Sequence, residues 1–409
     1  MAVVTRRAST VLVPASPARR LGAAGVGLLV VATALTGCTT DPDAGPVPCG
    51  DGAGRPPAAA ASSDVEQEGV TREVPFGGSS VRLTVDPVEV RDGLATLTVG
   101  YEPLEGELPP LGDVLAGAEP DGATGAAGLR LVDLDALEVL PVLVGPDGTR
   151  RASGLEDLGL GSEQHRTTSV HAAPQGETVD VLVPLLGYVP DVPVVRTSDG
   201  CGNPPASPGE AAGASRYPLQ AYRQPLDGAA GDGGALPKPT GAVVAAGETP
   251  AVRTPGEDGA TDRLAVRSVE RRGGALLGTF ELGLVSGDGG TAGAFGTPDA
   301  RGARERGFDA AAASEAPLRA ALLDGSGSTY PFEYEVPADA GDTADAGDTA
   351  DAQETPRRLL ADERVGRAGS APGETALVVV VWPDTGADRV TVDLPGVARF
   401  VDVPVTDAG

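Results

Sequence analysis

Apolar and polar residues alternate, position by position, through two stretches of the chain that open alike. The first reads Leu83-Thr84-Val85-Asp86-Pro87-Val88-Glu89-Val90-Arg91-Asp92-Gly93 and continues as Leu94 to Tyr101. The second reads Leu264-Ala265-Val266-Arg267-Ser268-Val269-Glu270-Arg271-Arg272-Gly273-Gly274 and continues as Leu276 to Leu284. A period of two sends successive side chains to opposite faces of an extended strand. A polar, Gly-containing pair between two such runs predicts a β-hairpin.

Further landmarks recur in the same order. Leu131-Val132-Asp133, with Pro141 beyond it, matches Leu322-Leu323-Asp324 with Pro331. Ala173-Pro174-Gln175-Gly176-Glu177-Thr178 precedes one apolar run, and Ala371-Pro372-Gly373-Glu374-Thr375 precedes another. Asp191-Val192-Pro193-Val194 matches Asp402-Val403-Pro404-Val405 at every position. The separation grows along the chain, from 181 at Leu83/Leu264 to 191 at Leu131/Leu322, 197 at Glu177/Glu374 and 211 at Asp191/Asp402. Ordered matches with growing separation read as one ancestral domain, duplicated and then lengthened in its loops, rather than a short-period solenoid.

Short strands, frequent turns and little helical periodicity predict an all-β protein, with two tandem β-sandwich domains as a diverged internal repeat. Helices are expected only near Pro109–Leu115 and Phe308–Leu323, where alanine favours them. The organisation reads as a signal peptide over 1–37, a flexible tether over 38–72, a first domain over 73–201, a Pro/Gly/Ala-rich linker over 202–258, and a second domain over 259–407. Inside the last, 338–356 is Asp-rich and carries a repeated hexapeptide, so it cannot bury a core and is expected to be disordered. The order of elements, the Leu322-Leu323-Asp324-Gly325-Ser326-Gly327-Ser328-Thr329-Tyr330-Pro331 stretch and the closing Asp-Val-Pro-Val resemble immunoglobulin-like β-sandwich domains of actinobacterial secreted proteins and lipoproteins. That resemblance covers about two-thirds of the chain and brings no catalytic residues with it. The first copy lacks the Asp-Gly turn, because Leu134 follows Asp133, so its hairpin there is built differently.

The N-terminus carries the sharpest signal. Arg6, Arg7, Arg19 and Arg20 precede the charge-free stretch Leu21 to Leu35, which is too short for a bilayer span and fits a secretory signal. Leu35-Thr36-Gly37-Cys38 follows at once and resembles a bacterial lipobox, which implies cleavage before Cys38 and a diacylglyceryl group on its thiol. Several acyl chains, at about 0.8 kcal/mol per buried CH₂, anchor stably where one would not. The expected location is therefore the outer face of the cell membrane, after export by the general secretory or the twin-arginine route. Cys49 and Cys201 remain as an even pair in an oxidising compartment and are expected to form a disulfide.

Charge and composition narrow the partners. The chain holds 31 basic and 58 acidic residues, so removing the four arginines of 1–37 leaves a mature charge of -31. Such a surface repels nucleic acid, and no nucleic-acid partner is expected. Aromatics make up only 3%, which leaves the cores to Val, Leu and Ala.

Candidate chemistry is sparse. His165 and His171 lie in a polar stretch with Glu163 and Glu177 nearby, but the spacing fits no zinc pattern, and both histidines read as exposed loop residues. Ser162, Ser326 and Ser328 lack the strained nucleophile turn of a hydrolase. The Asp-rich repeat lacks the rigid oxygen cage that calcium needs. Trp382 ends an apolar run and reads as core. No cofactor or metal is expected, and the chain is read as a non-catalytic surface lipoprotein that engages an envelope protein or ligand. A solute-binding lipoprotein, or a hydrolase using His165 or His171, would be the alternatives.

Overall fold

A computed structural model describes residues 68–105, 115, 125–145, 149–154, 165–197, 216–225, 236, 238–239, 241–245, 251–255, 261–286, 320–324, 326–336, 357–362, 373–395 and 397–408. In the first half the strands are β1 (Val70–Phe76), β2 (Ser79–Val85), β3 (Val88–Arg91), β4 (Leu94–Pro103), β5 (Arg130–Asp133), β6 (Glu138–Pro141), β7 (His165–Ala172), β8 (Thr178–Val183) and β9 (Gly187–Arg196). Between the halves run β10 (Tyr217–Pro218), β11 (Arg223–Pro225), β12 (Ala242–Ala245) and β13 (Ala251–Pro255). The second half contains β14 (Thr261–Arg272), β15 (Ala275–Ser286), β16 (Ala321–Leu323), β17 (Gly327–Thr329), β18 (Glu333–Glu335), β19 (Arg357–Leu359), β20 (Thr375–Pro383), β21 (Arg389–Leu394), β22 (Ala398–Pro404) and β23 (Thr406–Asp407). The protein is all-β, as the alternation predicts.

Both hairpins form where expected. β3 and β4 join through Asp92 and Gly93 at φ of 52° and 78°, the left-handed pair that a tight two-residue turn requires. β14 and β15 join through Gly273-Gly274, with Arg272 opposite Ala275. The Asp133 turn is built differently from its counterpart, as expected. It spans four residues, and Ala136 N donates to Asp133 Oδ1 at 2.9 Å. In the other copy Asp324 itself lies within the turn, beyond the last pair Leu323–Ser328, and Ser326 N and Gly327 N both donate to Asp324 Oδ1, at 2.9 and 3.2 Å.

Pairings of the first half recur in the second at fixed separations. β4 lies between β2 and β7, and β15 lies between β14 and β20. β8 pairs β9 with Thr178 opposite Pro193 and a register shift between Val179 and Val181; β21 pairs β22 with Arg389 opposite Pro404 and a shift between Val390 and Val392. The parallel contact Glu89–Val195 has its counterpart in Glu270–Thr406. In the two Asp-Val-Pro-Val segments both aspartates, Asp191 and Asp402, sit at positive φ of 56° and 60°. One matched landmark falls elsewhere. Ala173–Thr178 leads into β8, whereas Thr375 begins β20, which occupies the place of β7 rather than β8. Turn chemistry is local and does not report which strand the next residues will pair with.

The helix expected over Phe308–Leu323 does not reach Leu323, and 308–319 lies outside the described residues. Ala321–Leu323 is a buried strand held between β17 and β21, so two-sided pairing overrides alanine's helical preference. Of Pro109–Leu115 only Leu115 is described; it is helical and fully buried. The segment read as a linker likewise contains strands. β10 pairs β6, β11 pairs β17 and β12 pairs β22, so 217–225 straps one half to the other. Pro218 and Pro225 are tolerated because edge strands can spare an N–H.

The described residues all fall within one compact unit, Ala59–Gly409. Two apolar clusters explain why. The larger takes the inward side chains of both halves, among them Val181, Val183, Val378, Val380 and Trp382. The smaller joins the halves: Val132, Val139, Leu182 and Tyr188 of the first pack with Ala275, Leu277, Val379 and Val381 of the second. Val378 to Val381 is therefore unbroken because its strand is buried on both faces. At several of the matching positions outside this junction the chain carries polar residues instead: Ser328, Asp393 and Arg399, or Thr96 and Thr168.

Candidate functional site

Polar groups at the junction form a connected network between the two halves. Asp180 stands inside the apolar run of β8, 6% exposed. The Tyr188 hydroxyl donates to its Oδ2 at 2.8 Å, and Asp191 N donates to Oδ1 at 2.9 Å. Arg272, at the end of β14 in the other half, donates from Nε to Oδ2 at 2.9 Å and from Nη2 to Oδ1 at 3.3 Å, and it also pairs with Asp191. Burial, reinforced by the Asp180 charge, pushes the Tyr188 hydroxyl well above its usual range. Burial alone would pull Arg272 down, but hydrogen bonds and charge from Asp191 and Asp180 outweigh it and raise the guanidinium. Both carboxylate oxygens of Asp180 are thus engaged in fastening strands.

Asp362 makes a second clasp. Its Oδ1 accepts from Leu185 N at 2.9 Å, in the turn after β8, and its Oδ2 accepts from Val379 N at 2.6 Å. Leu185 holds φ of 56°, a conformation that costs a non-Gly residue energy and that this bond offsets. A third bond runs from Arg130 Nε to the Tyr334 hydroxyl at 2.9 Å. The sequence carried one cue for these residues, namely charges placed within apolar runs, as in Val179-Asp180-Val181.

The histidines are not loop residues. β7 turns Thr167, Ser169 and His171 inward, and His171 is fully buried. Those inward residues are polar, so the alternation that marks a strand is hidden in the sequence. His171 Nδ1 bonds Leu140 O at 2.9 Å, and a carbonyl can only accept, so Nδ1 carries the proton. Nε2 then accepts from the Ser169 hydroxyl at 2.8 Å. Burial lowers the imidazole to about 4, against the opposing effect of the backbone carbonyls. His165 opens the same strand, and its Nε2 is buried without a hydrogen-bond partner.

His171 is expected to make folding sensitive to acid. Between pH 6.5 and 4 the unfolded chain takes up a proton at this site and the folded chain does not. Stability is therefore present above pH 6.5 and is lost as pH falls, by about 3 kcal/mol from this group. Urea unfolding at pH 7.5 and 4.5 checks it. His171→Gln should flatten the dependence relative to the parent, and an identical slope in both proteins would contradict the assignment.

The remaining candidates are structural where they are described. The Ser326 hydroxyl donates to Asp324 Oδ1 at 2.6 Å within its turn. Trp382 is fully buried. No group of three His, Cys, Asp or Glu side chains able to hold a metal occurs among the described residues. Cys38, Cys49, Cys201, Ser162, Glu163 and the Asp-rich stretch 338–356 lie outside the described residues.

Fold and site together define an all-β protein whose buried polar side chains join strands to one another. No protein-family model, curated protein or solved structure matches the chain.

Proposed function

We propose that the chain is an exported bacterial surface protein, anchored by lipid on Cys38, that works by binding an envelope component rather than by catalysis. The observation that carries this reading is Leu35-Thr36-Gly37-Cys38, placed directly after a charge-free apolar stretch and a basic N-terminus. On this reading the two halves are diverged copies of one immunoglobulin-like β-sandwich, which the recurring registers support. Cys49 and Cys201 are joined by a disulfide. The all-β architecture favours a surface module over a solute receptor built from alternating strands and helices.

The test compares the wild type with Cys38→Ala in cells. Wild type should fractionate with the membrane, as a form that begins at residue 38 and carries lipid. Cys38→Ala should appear in the medium or persist as an uncleaved precursor. A Cys38→Ala protein that is cleaved and still retained at the membrane would overturn the anchor. In-cell cross-linking of the two forms should then recover an envelope partner in an anchor-dependent way.

A further inference from the structure

Tyr222 immediately precedes β11 and Tyr330 immediately follows β17, and the register of that ladder sets them directly opposite each other. Tyr330 N donates to Tyr222 O at 3.0 Å, which fixes the pair on neighbouring strands. Opposite residues of an antiparallel ladder hold their Cβ atoms about 5 Å apart for as long as the ladder exists. The two phenol rings have centroids 5.3 Å apart and planes tilted by 46°, a separation at which aromatic rings are in van der Waals contact. The Tyr330 hydroxyl donates to Gln224 Oε1 at 3.3 Å, and Arg223 Nη2 donates to Asp384 O at 2.6 Å, so the ring and the strand beside it are both held.

The other tyrosines of the six in the chain are placed differently. Tyr101, Tyr188 and Tyr334 are buried. Tyr217 lies nearly parallel to Tyr334, with centroids 6.1 Å apart and planes at 19°. Tyr222 is 39% exposed and meets solvent, and Tyr330 is half-buried beside it. A reagent in solution therefore reaches this pair first.

We propose that Tyr222 and Tyr330 are an oxidative modification site, at which hydrogen peroxide activated by a haem peroxidase joins the two rings as a dityrosine. Each phenol gives up one electron and its hydroxyl proton and becomes a phenoxyl radical, with spin on the carbons ortho to the oxygen. One ortho carbon of each ring forms the new C–C bond. Each of these carbons then loses its hydrogen as a proton while the oxygen of its ring regains one, which restores two phenols. Two hydrogen atoms leave in all, and they reduce one hydrogen peroxide to two waters. Holding the rings on neighbouring strands makes the coupling intramolecular, so it outruns coupling between chains. The bond ties the strap to the second half and closes a covalent loop from Tyr222 to Tyr330, which constrains the unfolded chain as a disulfide does. The inference goes beyond the anchored-surface reading and does not depend on it, because it concerns the purified chain with an added oxidant.

The experiment treats the purified full chain, at low protein concentration, with hydrogen peroxide and a peroxidase, and follows dityrosine fluorescence and peptide mass. The wild type should give a fluorescent monomer lighter by two hydrogen atoms, with fragmentation placing the bond between Tyr222 and Tyr330. Tyr222→Phe, which keeps the ring and removes only the hydroxyl, should lose the fluorescence. Tyr217→Phe should retain it in full. Thermal melting of both variants before oxidation shows that the fold persists. The oxidised wild type should also unfold at a higher urea concentration than the untreated protein, with no such rise for Tyr222→Phe. No dityrosine in the wild type, a bond mapped to Tyr217 and Tyr334, undiminished fluorescence in Tyr222→Phe, or products that only join separate chains would each overturn the proposal, and an unchanged urea midpoint would overturn the bond's role as a staple.

Discussion

Trp382→Ala is expected to destabilise the protein by about 3–5 kcal/mol, the range for emptying a buried aromatic site. The side chain is fully buried and meets Phe280 edge-on, with centroids 6.2 Å apart. Its Nε1 donates to Ala320 O at 3.1 Å, just before β16, so the ring ties the sheet of β15 and β20 to the sheet of β16. The site cannot collapse easily, because the backbone has been shaped to the ring: a Cβ on Gly278 would lie 2.2 Å from Trp382 Cζ3. Removal of the indole therefore leaves a cavity as well as an unpaired carbonyl. Equilibrium urea unfolding measures the loss, and a value below about 1 kcal/mol would show that the core repacks around the gap.

The second large effect is expected at the junction. Arg272→Ala removes the guanidinium from Asp180 and leaves a buried carboxylate with only a hydroxyl and one backbone N–H. Breaking a buried pair from one side costs about 3–5 kcal/mol. Asp180→Leu combined with Arg272→Met should be far milder than either half-removal. The two replacements desolvate no charge and can extend the apolar cluster of Leu182, Leu277 and Val379 around them. A double-mutant cycle in urea reads the coupling. If the double variant loses as much as the two single losses added together, the pair is not a coupled clasp between the halves.

The two hairpins were legible because Asp92-Gly93 and Gly273-Gly274 combine turn chemistry with flanking alternation, both local properties. The Asp-Val-Pro-Val segments were legible for the same reason, since each aspartate marks a left-handed position. What escaped was everything that depends on a partner. The inward face of β7 is Thr167, Ser169 and His171, and only the buried carbonyl of Leu140 and its neighbours explain why a histidine belongs there. The residues of 217–225 look like linker until the edges of β6 and β17 are present to pair them. Tyr222 and Tyr330 stand more than a hundred residues apart in the chain, so their adjacency has no local trace.

By itself, then, the sequence determined the extended character of the chain, the sites of its tight turns and the recurrence of one ordered set of landmarks, and it carries the proposal that residues 1–38 direct export and lipidation. These are properties of short windows, where side-chain period and backbone preference act without a partner. The tertiary structure alone decided that β20 takes the place of β7, that Asp180 and Arg272 meet, and that apolar side chains of both halves pack into one shared cluster. Those outcomes follow from burial and charge pairing between distant segments, energies that exist only once the segments are brought together.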